Sequence, residues 1–246
     1  MIKQIAVNGM NIEYWTAGQG QPLLFLHGAF GSFRFYLPLL ELLAKNHEVI
    51  APTLPGMGRS QSPEKGNLLA VYKTTLKYVI DHTLKDREYT LIGHSLGGSL
   101  ALALNQDYLL NNKQLILIDP VGYKIRHYYL RTVIGWTTTI IDHLKHIDKL
   151  KFKEMIPWDA VNIVFLRPVS FFRIMKALKA EVITTRPLKN RHLKKFVIFT
   201  SRDDHYVLPS HAEYLHKLFP ESKLKYIDKG GHCWFYYNNS SLLEEL

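Results

Sequence analysis

The sequence predicts an α/β protein: a mainly parallel sheet with helices on both faces, interrupted by a helical insertion. Three observations lead there. Over the first 119 residues, short apolar runs alternate with stretches of helical spacing. Those runs are continuously apolar, as strands buried on both faces must be. The alternation stops at Asp119-Pro120, gives way to a helical, basic and apolar stretch from Val121 to Asn190, and then resumes.

Taken in order, Met1–Val7 alternates apolar and polar side chains into an Asn8-Gly9 turn, which predicts a first strand and hairpin. Asn11–Thr16 and Pro22–Leu26 are extended and apolar. Phe33–Lys45 has helical spacing, with Leu37, Leu40, Leu43 and Ala44 available for one face. Glu48–Ala51 reads as a short strand and Leu68–Lys85 as a helix. Thr90–Gly93 is a strand that enters a Gly-Ser-Gly turn, with a helix from Leu96 to about Leu110 beyond it. Leu115–Ile118 is the next apolar strand. In the insertion Pro157, Pro168 and Pro187 act as breakers, and Trp136, Ile140, Leu144 and Ile147 form a stripe. Strand Phe196–Thr200, helix Ser210–Leu218, strand Lys223–Ile227 and a closing helix after His232 complete the pattern. The expected division is therefore a core of residues 1–120 and 191–246 and an insertion of residues 121–190.

The totals agree with one folded unit. The 246 residues are 47% hydrophobic and 21% charged, ordinary for a globular chain with a large core. The single cysteine, Cys233, excludes an intrachain disulfide and a multi-cysteine metal site. The N-terminus lacks the basic region and apolar run of a signal peptide, and no stretch approaches the ~20 apolar residues of a membrane span. A cytoplasmic protein is the expectation. The net charge of +10 is concentrated: residues 120–191 hold 14 Lys/Arg against 5 Asp/Glu.

The chemistry gathers around Gly93-His94-Ser95-Leu96-Gly97. A nucleophilic serine needs a sharp turn between strand and helix so that its Oγ stands clear, and small flanking residues permit that turn. The helix behind it aims N–H groups at developing negative charge. A serine also needs a base. Of 12 histidines, His232 is singled out by Gly230-Gly231 and by the strand before them, which place it on a loop at a strand's C-terminal edge. His94, inside the elbow, is given a packing or pocket-lining place. A carboxylate must hold the imidazole tautomer. Asp203 and Asp204 follow strand Phe196–Thr200, and Asp119, at the end of the preceding strand, is a third candidate. For the oxyanion, the loop His27-Gly28-Ala29-Phe30 can present the N–H of Ala29 beside that of Leu96. His27, Phe30, Phe33 and Phe35 are placed around an apolar mouth.

Together these residues resemble the lid-bearing α/β-hydrolase superfamily, its serine esterase and lipase-like members in particular. The resemblance rests on His27-Gly28, Pro55-Gly56-Met57-Gly58-Arg59-Ser60, Gly93-His94-Ser95-Leu96-Gly97-Gly98, Asp119-Pro120, Ser201-Arg202-Asp203-Asp204 and Gly231-His232, in that order. It implies Ser95 as nucleophile and His232 as base. A Gly-x-x-Asp turn of the family matches Ser201–Asp204 and favours Asp204 as the acid, with Ser201 standing where the family has Gly. Thr53 stands where members often carry a structural Asp. Relatives that hydrolyse epoxides or haloalkanes use Asp at the elbow to form an alkyl-enzyme ester, so Ser95 argues against both.

In the resemblance, residues 121–190 become a lid, and Trp136 and Ile140 with its other apolar residues (Trp158, Phe165, Phe171, Phe172) favour an uncharged, hydrophobic substrate. The leading expectation is hydrolysis of small or medium apolar esters without a cofactor or metal. Alternatives are thioesterase, carbon–carbon bond hydrolase or perhydrolase chemistry on the same triad, or a ligand-binding member without turnover. The basic excess admits a solvated surface, or attraction to anionic substrates or a weak contact with an anionic membrane surface. Nucleic acid is not expected, since no binding module is recognised.

Overall fold

A computed structural model describes residues 1–122, 159, 162–163, 167–179 and 185–246. Eight strands are seen: β1 (Ile2–Val7), β2 (Met10–Ala17), β3 (Gln21–Leu26), β4 (His47–Pro52), β5 (Tyr89–His94), β6 (Asn112–Ile118), β7 (Lys195–Ser201) and β8 (Lys223–Ile227). They form one sheet in the order β1-β2-β4-β3-β5-β6-β7-β8. The β1–β2 hairpin and the β2–β4 pair are antiparallel; every pair from β4 onward is parallel. The expected mainly parallel sheet is present, with the hairpin at one edge.

Side chains leave a strand on alternate faces, and the core divides accordingly. Leu24, Leu26, Leu91, Leu115, Leu117 and Ile198 point to one face, which α2 (Leu68–Thr83), α3 (Leu96–Asp107) and α5 (Pro209–Leu218) cover. Leu23, Phe25, Ile92, Ile116, Val197 and Phe199 point to the other, beneath α1 (Leu37–Leu43), Trp234 and the C-terminal α6 (Ser240–Leu243). Burial on both faces explains why β3, β5 and β6 read as unbroken apolar runs.

One expectation needs correction. Phe33–Lys45 is not one helix: a 3₁₀ turn over Phe33–Tyr36 precedes α1. Pro38 has no N–H with which to continue a helical ladder from residue 34, so a new helix starts around it. The turn is held from outside by Arg34, whose Nη1 and Nη2 donate to Glu13 Oε2 and Oε1 at 2.6 and 2.7 Å. The closing helix expected after His232 is present as α6, and a 3₁₀ stretch, Gly231–Tyr236, with His232 inside it, comes before it.

Between β6 and β7 the described residues include α4 (Pro168–Lys179). Its Ile174, Met175 and Ala177 are buried in the same cluster as α2 and α3. Arg173 donates to the Pro63 carbonyl, Arg167 to that of Gly58 at 3.2 Å, and Arg186 pairs with Asp107 at 2.6 Å. Part of the segment's positive charge is therefore used to hold it on the core. The stripe Trp136, Ile140, Leu144 and Ile147, with Trp158 and Phe165, lies outside the described residues. No helix among the described residues is long and apolar enough to cross a membrane.

Candidate active site

β5 runs fully buried to His94, and the chain then turns into α3 through Ser95 at φ 54°, ψ −119°. A non-glycine residue rarely adopts this backbone, and here it is over-determined by packing. Ser95 N–H donates to the Ile118 carbonyl at 2.8 Å, which ties the turn to β6. A Cβ at Gly97 would strike the carbonyl oxygens of Leu26 and His27, and one at Gly93 would strike that of Gly97. The two glycines of the motif thus let α3 press onto the ends of β3 and β5, and the serine is left at the apex.

The loop after β3 lies against that apex. A Cβ at Gly28 would lie 3.3 Å from the Ser95 Cβ and 3.0 Å from the Tyr36 Oη. His27 is buried and both its ring nitrogens are bonded: Nε2 accepts from the Leu54 N–H at 2.9 Å, and Nδ1 then donates to the Gly28 carbonyl at 2.7 Å. Burial keeps it neutral by lowering its pKa to about 4. Because peptides are planar and trans, pinning the Gly28 carbonyl turns the Ala29 N–H to the opposite side. Leu96, whose N–H is the other expected donor, is the first residue of α3. Phe30 holds φ 62° and packs its ring 5.5 Å from that of Phe171 on α4, tilted by 31°.

On the opposite side, His232 Nδ1 meets Asp204 Oδ2 at 2.6 Å. The other oxygen, Oδ1, accepts the N–H groups of Tyr206 and Val207 at 2.8 and 2.9 Å. One oxygen thus fixes the carboxylate to its own turn and the other faces the imidazole. The Tyr206 ring stands edge-on to His232 at 5.0 Å. His232 also lies beside the elbow, its ring 4.5 Å from that of His94.

The three candidate acids have separate surroundings. Asp203 accepts from Ser201 Oγ at 2.6 Å and from the N–H groups of Gly231 and Gly230 at 2.9 and 3.2 Å, so it grips the loop carrying His232. Burial alone would raise its pKa, but these hydrogen bonds outweigh it and hold the carboxyl below its usual range. Asp119 accepts from the Ser201 N–H and from Trp234 Nε1–H, both at 2.8 Å, and joins the same two loops from beneath. Its burial and the nearby Asp204 push its pKa well up. Of the three acids, Asp204 is the one hydrogen-bonded to the His232 ring.

Several placements differ from those expected of the sequence. His27 is expected to line a pocket and His94 to pack or line one; both are buried with both ring nitrogens hydrogen-bonded, so His94 takes the packing place and neither offers a free nitrogen to a ligand. Phe33 is core on the far face of the sheet, and Phe35 packs against Tyr36 and Tyr236. Trp136 and Ile140 lie outside the described residues. His94, Asp119 and His232 bring nitrogen and oxygen atoms within 4.8 Å of one another, as a metal site would. All three side chains are engaged in the hydrogen bonds above, however, which account for the grouping. Ser201, which stands at the Gly position of the Gly-x-x-Asp turn, also belongs to the site, as do Tyr36 and Trp234, which have no motif of their own and whose sequence signal is proximity to Gly28 and His232. Thr53 is fully buried with its Oγ1 unpartnered among the described residues, and its loop is held instead by Ser60, which donates to the Thr53 carbonyl at 2.8 Å.

A family model described as the alpha/beta hydrolase family matches residues 23–240. A soluble epoxide hydrolase of Corynebacterium sp. is 33% identical over 118 residues, which is 48% of this chain and 41% of that protein; the match thus spans less than half the length of that relative. An uncharacterised hydrolase of Bacillus subtilis, YugF, is 27% identical over 94% of this chain and 91% of its own length. Among solved structures, the esterase RhEst1 from Rhodococcus sp. superposes with a TM-score of 0.77 at 20% identity, over 99% of this chain and 96% of that one.

Proposed function

The chain belongs to the alpha/beta hydrolase family, and from that premise we propose that it hydrolyses small apolar carboxylic esters through an acyl-Ser95 intermediate. The observation that carries this reading is the 2.6 Å contact between Asp204 Oδ2 and His232 Nδ1, beside a serine held at φ 54°. An ionised carboxylate only accepts, so Nδ1 bears the proton and Nε2 keeps its lone pair. With Nε2 as base, Ser95 Oγ attacks the ester carbonyl and gives up its proton. The N–H groups of Ala29 and Leu96 stabilise the oxyanion. Collapse expels the alcohol, which takes the proton back from Nε2. Water then attacks the acyl-serine with the same base, releasing the acid and restoring Ser95.

The choice of substrate rests on the apolar side chains around the site. Phe30 and Phe171 supply an aromatic wall, and residues 121–190, read as a lid, add the rest. The likeness to an epoxide hydrolase does not carry the epoxide reaction here, because an alkyl-enzyme ester requires a carboxylate at the position of Ser95. Turnover of short aryl esters by wild type, reduced at least ~10³-fold in Ser95→Ala, is the expected result. Undiminished turnover in the variant overturns the assignment. Tight binding of an apolar ligand with no turnover at all would make the chain a binding protein instead.

A further inference from the structure

His94 precedes the candidate nucleophile, yet the reaction as described leaves it no chemical task. It takes part in two of three hydrogen bonds that run in a chain from the Gly28 loop to His232. The Gly28 N–H donates to Tyr36 Oη at 2.9 Å, Tyr36 Oη lies 2.7 Å from His94 Nδ1, and His94 Nε2 lies 2.9 Å from the His232 carbonyl oxygen. The direction of each follows from chemistry. A backbone N–H only donates, so the Gly28 bond uses the Tyr36 oxygen as acceptor. A carbonyl only accepts, so His94 Nε2 carries the hydrogen. The His94 ring is buried, and desolvation, reinforced by the neighbouring His232, lowers its pKa and keeps it neutral. Nδ1 is then bare and accepts a hydrogen bond from the Tyr36 hydroxyl. The chain of bonds has one consistent polarity.

We infer that His94 is a positioning residue: its Nε2–H tautomer, fixed by the His232 carbonyl and matched by the Tyr36 hydroxyl at Nδ1, holds the main chain of His232 and the Gly28 loop in register on the nucleophile elbow. The base, the oxyanion loop and the nucleophile sit on three different segments, and each has its own local anchor. Asp204 orients the His232 ring, and His27 pins the Gly28 carbonyl. The His94–Tyr36 bridge adds a direct link between the two loops, through the residue adjacent to Ser95. Tyr36 is itself locked by packing, with its ring 4.9 Å from Phe25 and stacked 5.5 Å from Phe235. A group that fixes the relative position of reacting parts acts on kcat, because small displacements in a site are costly.

This inference rests on the esterase reading for its kinetic arm, and a second arm is independent of activity. Tyr36→Phe keeps the ring packing and removes only the hydroxyl. Its kcat per titrated active site should fall about 10- to 100-fold, with KM within about twofold. His94→Gln, whose amide can still donate to the His232 carbonyl, should retain more activity than His94→Phe, which cannot. Nitrogen NMR of ¹⁵N-histidine wild type should show His94 protonated on Nε2 and accepting at Nδ1, and Tyr36→Phe should lose the signature of that acceptor bond. An Nδ1–H tautomer in wild type overturns the inference even if no ester is turned over. So does an unchanged kcat per active site in Tyr36→Phe, or equal activity in His94→Gln and His94→Phe. A wild type that turns over no ester but shows the expected tautomer defeats the esterase reading and leaves the hydrogen-bonded bridge standing.

Discussion

The two halves of the site are held by different forces. On the nucleophile side, Ser95 is fixed by steric fit: glycines at 93 and 97 admit backbone contacts that no side chain would allow, and the flanking His94 and Leu96 are buried. On the base side, the loops after β7 and β8 are joined by hydrogen bonds to carboxyl groups. Asp203 grips Gly230 and Gly231, Asp119 takes the Ser201 N–H and the Trp234 indole, and Asp204 faces His232. A close-packed turn tolerates no added atom but is indifferent to pH. A polar network tolerates a change of shape but loses its hold when a partner is deleted or protonated. The elbow should therefore fail by size, the base loops by hydrogen bonding.

The largest effect expected on the polar side is chemical. Asp204→Asn preserves shape but destroys the acceptor that sets the His232 tautomer, and kcat should fall about 10³–10⁴-fold with the fold intact. Circular dichroism and ester turnover together check this; a loss below tenfold would assign the acid role elsewhere, with Asp203→Asn and Asp119→Asn as the comparison. On the steric side, Gly97→Ala should cost ~3–5 kcal/mol of stability, because the new methyl meets main-chain oxygens that cannot move alone. Denaturant unfolding would show it, and a cost under about 1 kcal/mol would mean that the elbow is less tightly fixed than described.

That contrast also explains what was legible in the sequence. The strands of the buried sheet announce themselves because burial on both faces demands continuous apolar runs, and Gly93-His94-Ser95-Leu96-Gly97 announces itself because only small residues fit the turn. The acid was harder to read. Asp203 and Asp204 are adjacent in sequence and are told apart by burial and by which loop atoms reach them, and Asp119 follows another strand. Tyr36 was illegible as part of the site. Its hydroxyl meets Gly28 and His94 only because the segment Phe33–Lys45 breaks at Pro38 into a 3₁₀ turn and a separate helix, whereas the apolar spacing suggested one helix. Tertiary hydrogen bonds leave no periodicity to detect. The basic insertion was legible as a segment, but Arg167, Arg173 and Arg186 find partners on the core that charge counting cannot reveal.

A pH effect sharpens the comparison further. His27 supports the oxyanion loop as a neutral ring whose pKa burial lowers to about 4 from the usual 6.5. Above pH 6.5 neither the folded nor the unfolded chain protonates it. Below that, the unfolded chain binds the proton first, so stability should decline as pH falls from 6.5 to about 4, by up to about 3 kcal/mol from this group. His27→Asn keeps a donor for the Gly28 carbonyl. It should be less stable at pH 7 yet decline less steeply, as read by thermal unfolding across that range; an identical slope would remove His27 as the cause. The smallest expected effect is that of Asp119→Asn, which leaves the Ser201 N–H or the Trp234 indole without its acceptor. A loss of ~1–3 kcal/mol is expected, with Ser95 still reactive because the elbow stands on its own packing.

The reactivity of Ser95 can be measured directly. Folded wild-type protein should react with a fluorophosphonate probe to one adduct per chain, and peptide mapping should place it on Ser95. Ser95→Ala should abolish the adduct, and Asp204→Asn should slow its formation. A folded wild type that takes up no probe, or one labelled at another residue while Ser95 stays free, would contradict the assignment of Ser95 as an activated nucleophile.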